Sequence, residues 1–541
     1  MRYPLFILFV ASLIFAQDNK FNVSSDRIKK DLNYLGSDLF EGRGTGSTGG
    51  ELSAKYLAKE FDNAGLIPAG DNGTFYQYIP MHAATPLPTS ELNIYSQSDD
   101  TTSLMYGDNY VLFKSGQQTF NPVPLPMVFA GYGITAPEFD YNDYYDLDVQ
   151  GKVVVILEGE PLSDNEEYFA GEFPTVYSYT ESKLRIALSR GAAGTIIITN
   201  PYQHLVEWES IKRDFSFEDI RLAYSPTANL SVLLYHKFAD PLFAAADYSL
   251  DDVFLMHAEK KIISFPLKSK LTFRGIFKKR DFLAPNIIGL KQGNDNNLKD
   301  RYIIVSAHYD HLGIGPSVNG DSIYNGVLDN AIGTAALLEI ARIFKEREIQ
   351  NARSIIFLLV TGEEKGLLGS TYYTDHPFAP LYKTDANINI DGIAYLDNFR
   401  NIIGVGADLS SLGDLLEKTA LRNDLTITTI PLEFKSWESF NRSDQISFAK
   451  AGIPSILVME GPDFVNLSYD AGISLLKEYN REVYHTPFDD MNLKLNYSAI
   501  LQHINFLTDY IIDVSNSDNI PVWNEGVNYK IQRLRTIAEK R

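Results

Sequence analysis

Tyr302-Ile-Ile-Val-Ser-Ala-His308-Tyr-Asp310 is a mostly apolar run that ends in an imidazole and a carboxylate. It does not alternate and is too short for a typical helix, so it reads as a strand covered on both faces. The same grammar recurs downstream. Ser354–Val360 runs into Thr-Gly-Glu363-Glu364, Ala386–Ile390 into Asp391-Gly392, and Ser455–Met459 into Glu460-Gly461. Helical segments separate these runs, which predicts an α/β fold with a largely parallel sheet flanked by helices. Ligands of such sheets bind outside the carboxyl ends of the strands. His308, Asp310, Glu363, Glu364 and Asp391 are therefore expected to gather at one edge.

Two further stretches add to that edge. Asn325-Gly-Val-Leu-Asp329-Asn330 opens an amphipathic helix with Ile332, Ala335, Ala336, Leu338, Ile340 and Ile343 on its apolar side. Asp329 can serve there as a simple helix cap or as a metal carboxylate near a helix N-terminus. Tyr484-His485-Thr-Pro487 supplies a second imidazole. His308, His485, Asp329, Glu364 and Asp391 are nitrogen and oxygen donors without thiolate, a set that suits zinc, or else manganese or cobalt. Five ligands are too many for one open catalytic zinc and suit two ions ~3.5–4 Å apart that share a carboxylate. Glu363, beside a ligand but free of the metal, is placed to act as general base. Asp310 is expected to accept the other N–H of His308 and fix its tautomer.

The ordered set His308-x-Asp310, Asp329-Asn330, Glu363-Glu364, Asp391 and His485 resembles the M28 family of zinc aminopeptidases. The block Asn441-Arg-Ser-Asp444-Gln with Phe448 and Gly452-Ile-Pro454 resembles that family as well. The resemblance covers roughly residues 20–85 and 284–514 and implies a phosphorylase/hydrolase-like mixed sheet. It implies two Zn2+ per chain, one on His308 and Asp391, one on Glu364 and His485, with Asp329 bridging and a cis Asp329–Asn330 bond. By the same resemblance Glu363 is the catalytic base, Tyr484 stabilises the oxyanion, and the substrates are peptides with a free N-terminus. The sequence departs from the family at Leu328, where a second Asp is common, at Asp391-Gly-Ile, and in an inserted loop from Gly313 to Tyr324. His311 is expected to pack beside the site or support its ligands. On the same fold a carboxypeptidase, a dipeptidase or a glutaminyl-cyclase-like enzyme uses similar chemistry, and a receptor-like homologue would have none. A serine hydrolase elbow G-x-S-x-G and the helix motif H-E-x-x-H are both absent.

Farther out, residues 24–67 read as two helices joined by the glycine-rich Glu41–Gly50, taken as an ordered loop at the surface or the site edge. Residues 85–280 are rich in short strand and turn patterns around one strand–helix–strand unit, Lys152–Leu157 to Thr195–Thr199. Phe129-Ala-Gly-Tyr-Gly133, Gly151–Val155 and Gly191–Ile197 resemble a protease-associated (PA) domain inserted into the catalytic unit. His204, His236 and His257 fall there without companions and are assigned to packing. The expected divisions are thus a signal peptide at 1–16, peptidase segments at 20–100 and 281–515, the insertion at 101–280, and a tail at 516–541.

The 541-residue chain carries a net charge of −21, which disfavours nucleic acid, and has no cysteine. Disulfides, thiolate zinc sites and iron–sulfur clusters are excluded. Residues 1–16 hold one Arg before an apolar run from Leu5 to Phe15 and then Ala16. This reads as an export signal, too short for a membrane span of ~20 residues. The protein is expected outside the cytoplasm, in a periplasm, on an outer surface or in the medium.

Overall fold

The computed structural model describes residues 19–98, 100–113, 120–165, 167–169, 171, 175–203, 207–225, 230–437 and 439–539. The predicted export signal at 1–16 and His204 lie outside these residues. Among them no helix is long and apolar enough to cross a membrane.

A ten-stranded sheet carries the half that holds the expected donors. Its main strands are β1 (Tyr76–Pro86), β2 (Asp219–Leu222), β3 (Phe277–Lys291), β4 (Tyr302–His308), β5 (Ser354–Val360), β6 (Thr384–Asn389), β7 (Asn401–Val405), β8 (Thr426–Thr428) and β9 (Ser455–Glu460). Their spatial order is β2-β1-β3-β5-β4-β6-β9-β7-β8. The four central strands, β5, β4, β6 and β9, are parallel, and the flanks are mixed. The apolar runs explain the layering. Ile303, Val305, Ala307, Ile355, Phe357 and Leu359 face one core, while Ile304, Ile356, Leu358 and Val360 face another. Both faces are buried, so the pattern is continuous rather than alternating.

Helices α1 (Ser25–Leu35), α2 (Thr48–Asn63), α3 (Ile332–Glu346) and α4 (Tyr497–Asn516) help cover the first face. A buried ion network ties the first two to the third: Arg342 donates to Asp31 at 2.6 Å and to Glu60 at 2.6 Å. The tail also docks, with buried Trp523 donating to the Gly452 carbonyl at 2.9 Å.

A second sheet of eight strands fills the region between β1 and β3. Val153–Leu157, Gly194–Ile198 and Leu230–Leu234 run parallel at its centre, and Phe265–Arg274 pairs antiparallel to Glu91–Tyr95 and Phe120–Phe129. The chain leaves the first sheet at Pro86 and re-enters at Phe277, which face each other in the β1–β3 ladder. They lie close to the ends of the strand-rich stretch expected at 85–280, and the insertion expected at 101–280 begins later in the chain. The outer half of β3 is largely exposed, so its sequence lacks the buried pattern that would mark it as part of the first sheet. The region between also returns once to the first sheet: β2 pairs antiparallel with β1, Leu222 opposite Met81.

Candidate metal centre

His308 is the last residue of β4, Glu363 and Glu364 follow β5, and Asp391 follows β6. The sheet delivers all four to one edge. Asp329 stands just before α3, and its bond to Asn330 is cis. Three side chains hold this corner. Asp489 accepts the Leu328 and Asp329 amides at 2.8 and 3.0 Å, while Asn330 donates to the Ile390 carbonyl at 2.9 Å and accepts the Gly392 amide at 3.0 Å. Thr334 Oγ1 donates to the His308 carbonyl at 2.8 Å. His485 adopts φ +55°, a left-handed conformation in which histidine is enriched among non-glycine residues.

The donor atoms fall into two groups around Asp329. His308 Nε2 lies 3.3 Å from Asp329 Oδ1 and 3.2 Å from Asp391 Oδ1. His485 Nε2 lies 3.2 Å from Asp329 Oδ2 and 3.3 Å from Glu364 Oε2. Neighbouring donors on a tetrahedral ion with bonds of ~2.0–2.1 Å stand about 3.3 Å apart. His485 Nε2 is buried and makes no hydrogen bond to either oxygen. Such an orphaned imidazole between two carboxylates fits a cation-binding position, and the donor set fits zinc.

The electrostatics point the same way. Burial opposes a charge on His308, but Asp391 and Glu363 outweigh it and raise its pKa well above the ordinary value. Burial is likewise outweighed at His485, which Glu364 and Asp329 lift to about 10. Asp329 is held well below the usual carboxylate range, with His308 and His485 overcoming burial. The pocket therefore demands positive charge, which a bound metal supplies by displacing those protons. Glu363 is pushed well above the ordinary carboxylate value, first by burial, with Glu364, Asp391 and Asp444 adding to it against His308. Asp444, from the block before β9, is buried and raised to about 7, chiefly by burial. Tyr484 stacks on His485 with centroids 3.9 Å apart, and burial keeps its hydroxyl protonated far beyond neutrality.

The structure brings together every residue that the sequence singled out for the site, with one change of detail. Asp310 orients His308 through its backbone: the imidazole Nδ1 lies 3.1 Å from the Asp310 carbonyl oxygen and 3.9 Å from its carboxylate. That carboxylate instead accepts from Thr45 Oγ1 at 2.9 Å and from the Glu363 amide at 3.2 Å. A tight turn after the strand puts the carbonyl nearer than the side chain, which spacing alone does not reveal. Glu460 ends β9 but lies apart, 4.0 Å from His503.

The glycine-rich loop Glu41–Gly50 proves to be part of the centre's frame. Arg43 is completely buried and donates to the carbonyls of Leu35, Tyr309, Asn325 and Gly326. One guanidinium thus clamps the His308–His311 turn to the loop that carries Asp329. Gly42 at φ +68° admits this close approach, since a Cβ there would meet the Tyr324 carbonyl at 2.3 Å. A buried arginine serving backbone carbonyls leaves no motif; its only trace was the cluster of five glycines between residues 41 and 50.

The region between β1 and β3 contributes a wall. Phe217 lies edge-on to Tyr324 at 5.0 Å, and Lys365, the neighbour of Glu364, places its ammonium 5.2 Å from the Phe217 ring. Glu218 binds Arg280 at 2.6 Å, and Arg280 donates to the Gly46 carbonyl at 2.8 Å. Between Lys212, Arg213 and Ser216 of this segment and Pro316, Ser317 and Asn319 of the Gly313–Tyr324 hairpin lies an open cleft of about 570 Å³. His236 and His257 are engaged locally, with Thr199 and Tyr132 respectively.

The fold is one seen among solved structures. The chain superposes on the aminopeptidase from Aneurinibacillus sp. strain AM-1 with a TM-score of 0.56 at 18% identity, covering 94% of this chain and 97% of that one. Residues 286–511, which hold all the donors, match the model of Peptidase family M28. Aminopeptidase YwaD of Bacillus subtilis (strain 168) is 37% identical over 110 residues, 20% of this chain and 21% of its own length. Leucine aminopeptidase 2 of Arthroderma otae is 28% identical over 231 residues, 39% of this chain and 42% of its own. The chain thus spans between a fifth and somewhat over two-fifths of the length of these curated relatives.

Proposed function

We propose that the protein is an exported zinc aminopeptidase that removes N-terminal residues from peptides with two zinc ions. The observation that carries this reading is Asp329, whose two oxygens face the imidazoles of two separate imidazole–carboxylate pairs, His308 at 3.3 Å and His485 at 3.2 Å. His308 and Asp391 would hold one ion, Glu364 and His485 the other, with Asp329 between them. When bound, the pair supplies Lewis acidity to the scissile carbonyl and acidifies the attacking water.

The side chains perform the remaining work. Glu363 takes the water's proton on its carboxylate, and its raised pKa suits it to hold that proton and pass it to the leaving amine. The Tyr484 hydroxyl, kept protonated, donates to the carbonyl oxygen as negative charge develops there. Asp310 keeps His308 in one tautomer through its carbonyl. The surplus of carboxylates supports recognition of a substrate ammonium, and Phe217 offers an aromatic wall beside it. The aminopeptidase names of the relatives support the same direction of attack. The export reading rests on residues 1–16, and the second sheet is read as a PA-like insertion that shapes access.

The test is one mixture of unmodified, N-acetylated and C-amidated peptides, incubated with the zinc-loaded protein and followed by mass spectrometry. Single residues should be lost from free N-termini, with acetylated peptides untouched. Loss from free C-termini would establish a carboxypeptidase instead. No cleavage of any peptide would overturn peptidase activity.

A further inference from the structure

His311 is a third imidazole at the centre, and neither of the two pairs above includes it. It is fully buried. Its Nδ1 lies 2.6 Å from Glu364 Oε1 and 3.8 Å from Asp329 Oδ2, and its ring centroid stands 5.7 Å from that of His485. The ring is held from two sides. The His311 amide donates to the Arg43 carbonyl at 3.4 Å, and Gly326 packs so closely that a Cβ there would come within 2.4 Å of the imidazole.

The 2.6 Å contact differs in kind from the 3.2–3.3 Å pairs. Two donors on one tetrahedral ion stand about 3.3 Å apart, whereas a charge-assisted N–H···O bond brings its atoms together at about 2.7 Å. His311 thus stands at hydrogen-bonding distance from Glu364, closer than two donors that share one ion. Glu364 is divided: Oε1 meets His311, and Oε2 faces His485 at 3.3 Å.

We propose that His311 is a positioning residue whose Nδ1–H donates to Glu364 Oε1, fixing the carboxylate so that Oε2 alone serves the metal on the His485 side. The proposal rests on the two-metal reading above. It makes one half of the centre depend on His311 and leaves the half built on His308 and Asp391 independent of it. Partners of this kind, behind metal ligands, contribute roughly 10–100-fold to metal affinity.

The experiment titrates zinc into the metal-free full-length protein against a competing chelator and resolves the two binding steps, with cobalt absorption as a second reading of each site. His311→Asn keeps an amide N–H near the place of Nδ1. His311→Gln places its donor near Nε2 instead, and His311→Phe keeps the shape without a donor. In the Phe and Gln variants one binding step should weaken roughly 10–100-fold while the other stays at the wild-type value, and Asn should restore most of the loss. Wild-type protein that binds fewer than two zinc ions overturns the two-metal reading and the proposal with it. Two wild-type steps that persist unchanged in the Phe or Gln variant overturn the proposal alone. So does equal weakening of both steps, or a Gln variant as tight as Asn. If the Phe variant fails to fold, the Asn–Gln pair decides.

Discussion

Both sheets bury a cluster of charge, and they treat it in opposite ways. In the second sheet, Lys183 is fully enclosed and donates to the Tyr132 and Gly159 carbonyls at 2.6 Å each. Facing it, Asp143 accepts from the Tyr132 and Ile134 amides at 3.0 Å and from the Tyr141 hydroxyl at 2.7 Å. Donors and acceptors there are matched within the protein. At the edge of the first sheet, Asp310, Asp329, Glu363, Glu364, Asp391 and Asp444 meet three imidazoles, and His485 Nε2 faces oxygens without bonding to them. A buried polar cluster that closes on itself is architecture, whereas one left short of positive charge is a binding site.

The largest effect that would sharpen this contrast is on turnover. Glu363→Gln should lower kcat by about 10²–10⁴-fold while two zinc ions remain bound. Loss of zinc with turnover per bound metal preserved would remove Glu363 from its role as base. Next, Arg43→Met strips four carbonyls of their donor and should destabilise the catalytic half by on the order of 4 kcal/mol, read as a lower urea midpoint. A change within about 0.5 kcal/mol would mean the clamp contributes little.

On the other side, Lys183→Met leaves Asp143 unbalanced and should cost about 3 kcal/mol. The zinc affinities should not move; if they do, the two clusters are coupled and the contrast fails. Phe217→Ala should change kcat/KM between large and small N-terminal residues by roughly fivefold, with zinc content constant, since one pocket wall is worth ~1–3 kcal/mol. A uniform change for all substrates would place Phe217 outside the pocket.

The smallest effect is in the pH dependence of stability. Burial works against a charge on Asp397 in the catalytic half, but donors from Asn466, Asn398 and Leu467 outweigh it and hold its carboxyl below the usual range. Its contribution is present above about pH 4 and is lost as pH falls through the depressed value. Asp143 is pushed up to about 6 by burial. As pH falls from there towards the ordinary aspartate value, the folded chain binds a proton that the unfolded chain does not, so stability rises. Thermal unfolding of wild type, Asp397→Asn and Asp143→Asn across pH should therefore give differences of opposite slope. Slopes of one sign would show that the two carboxyls share one kind of environment.

The five candidate donors and Glu363 were legible because each is a chemically distinctive side chain, most of them placed just after an apolar run or at a helix start. The central parallel strands were legible for a related reason, as both faces are buried. Arg43 was not, because its partners are backbone carbonyls far along the chain, and a carbonyl has no sequence signature. Asp489 was passed over as one acid among many, although it fixes the amides before the cis bond. The tautomer of His308 is set by a carbonyl, where its sequence neighbours suggested a carboxylate. The return of the chain to the first sheet at Phe277 was less legible, because the outer half of β3 is largely exposed and lacks a buried pattern.

What the sequence by itself determined is the alternation of strands and helices, the donor set, and the edge at which it collects. These follow from local hydrophobic period and from the chemistry of single residues. What only the tertiary structure decided is which nitrogen meets which oxygen. It alone divides Asp329 and Glu364 between their partners, brings Arg43 across two loops, and sets Phe217 beside Lys365. Such contacts depend on ångström-scale approach between segments distant in the chain, and packing of the whole core sets that approach.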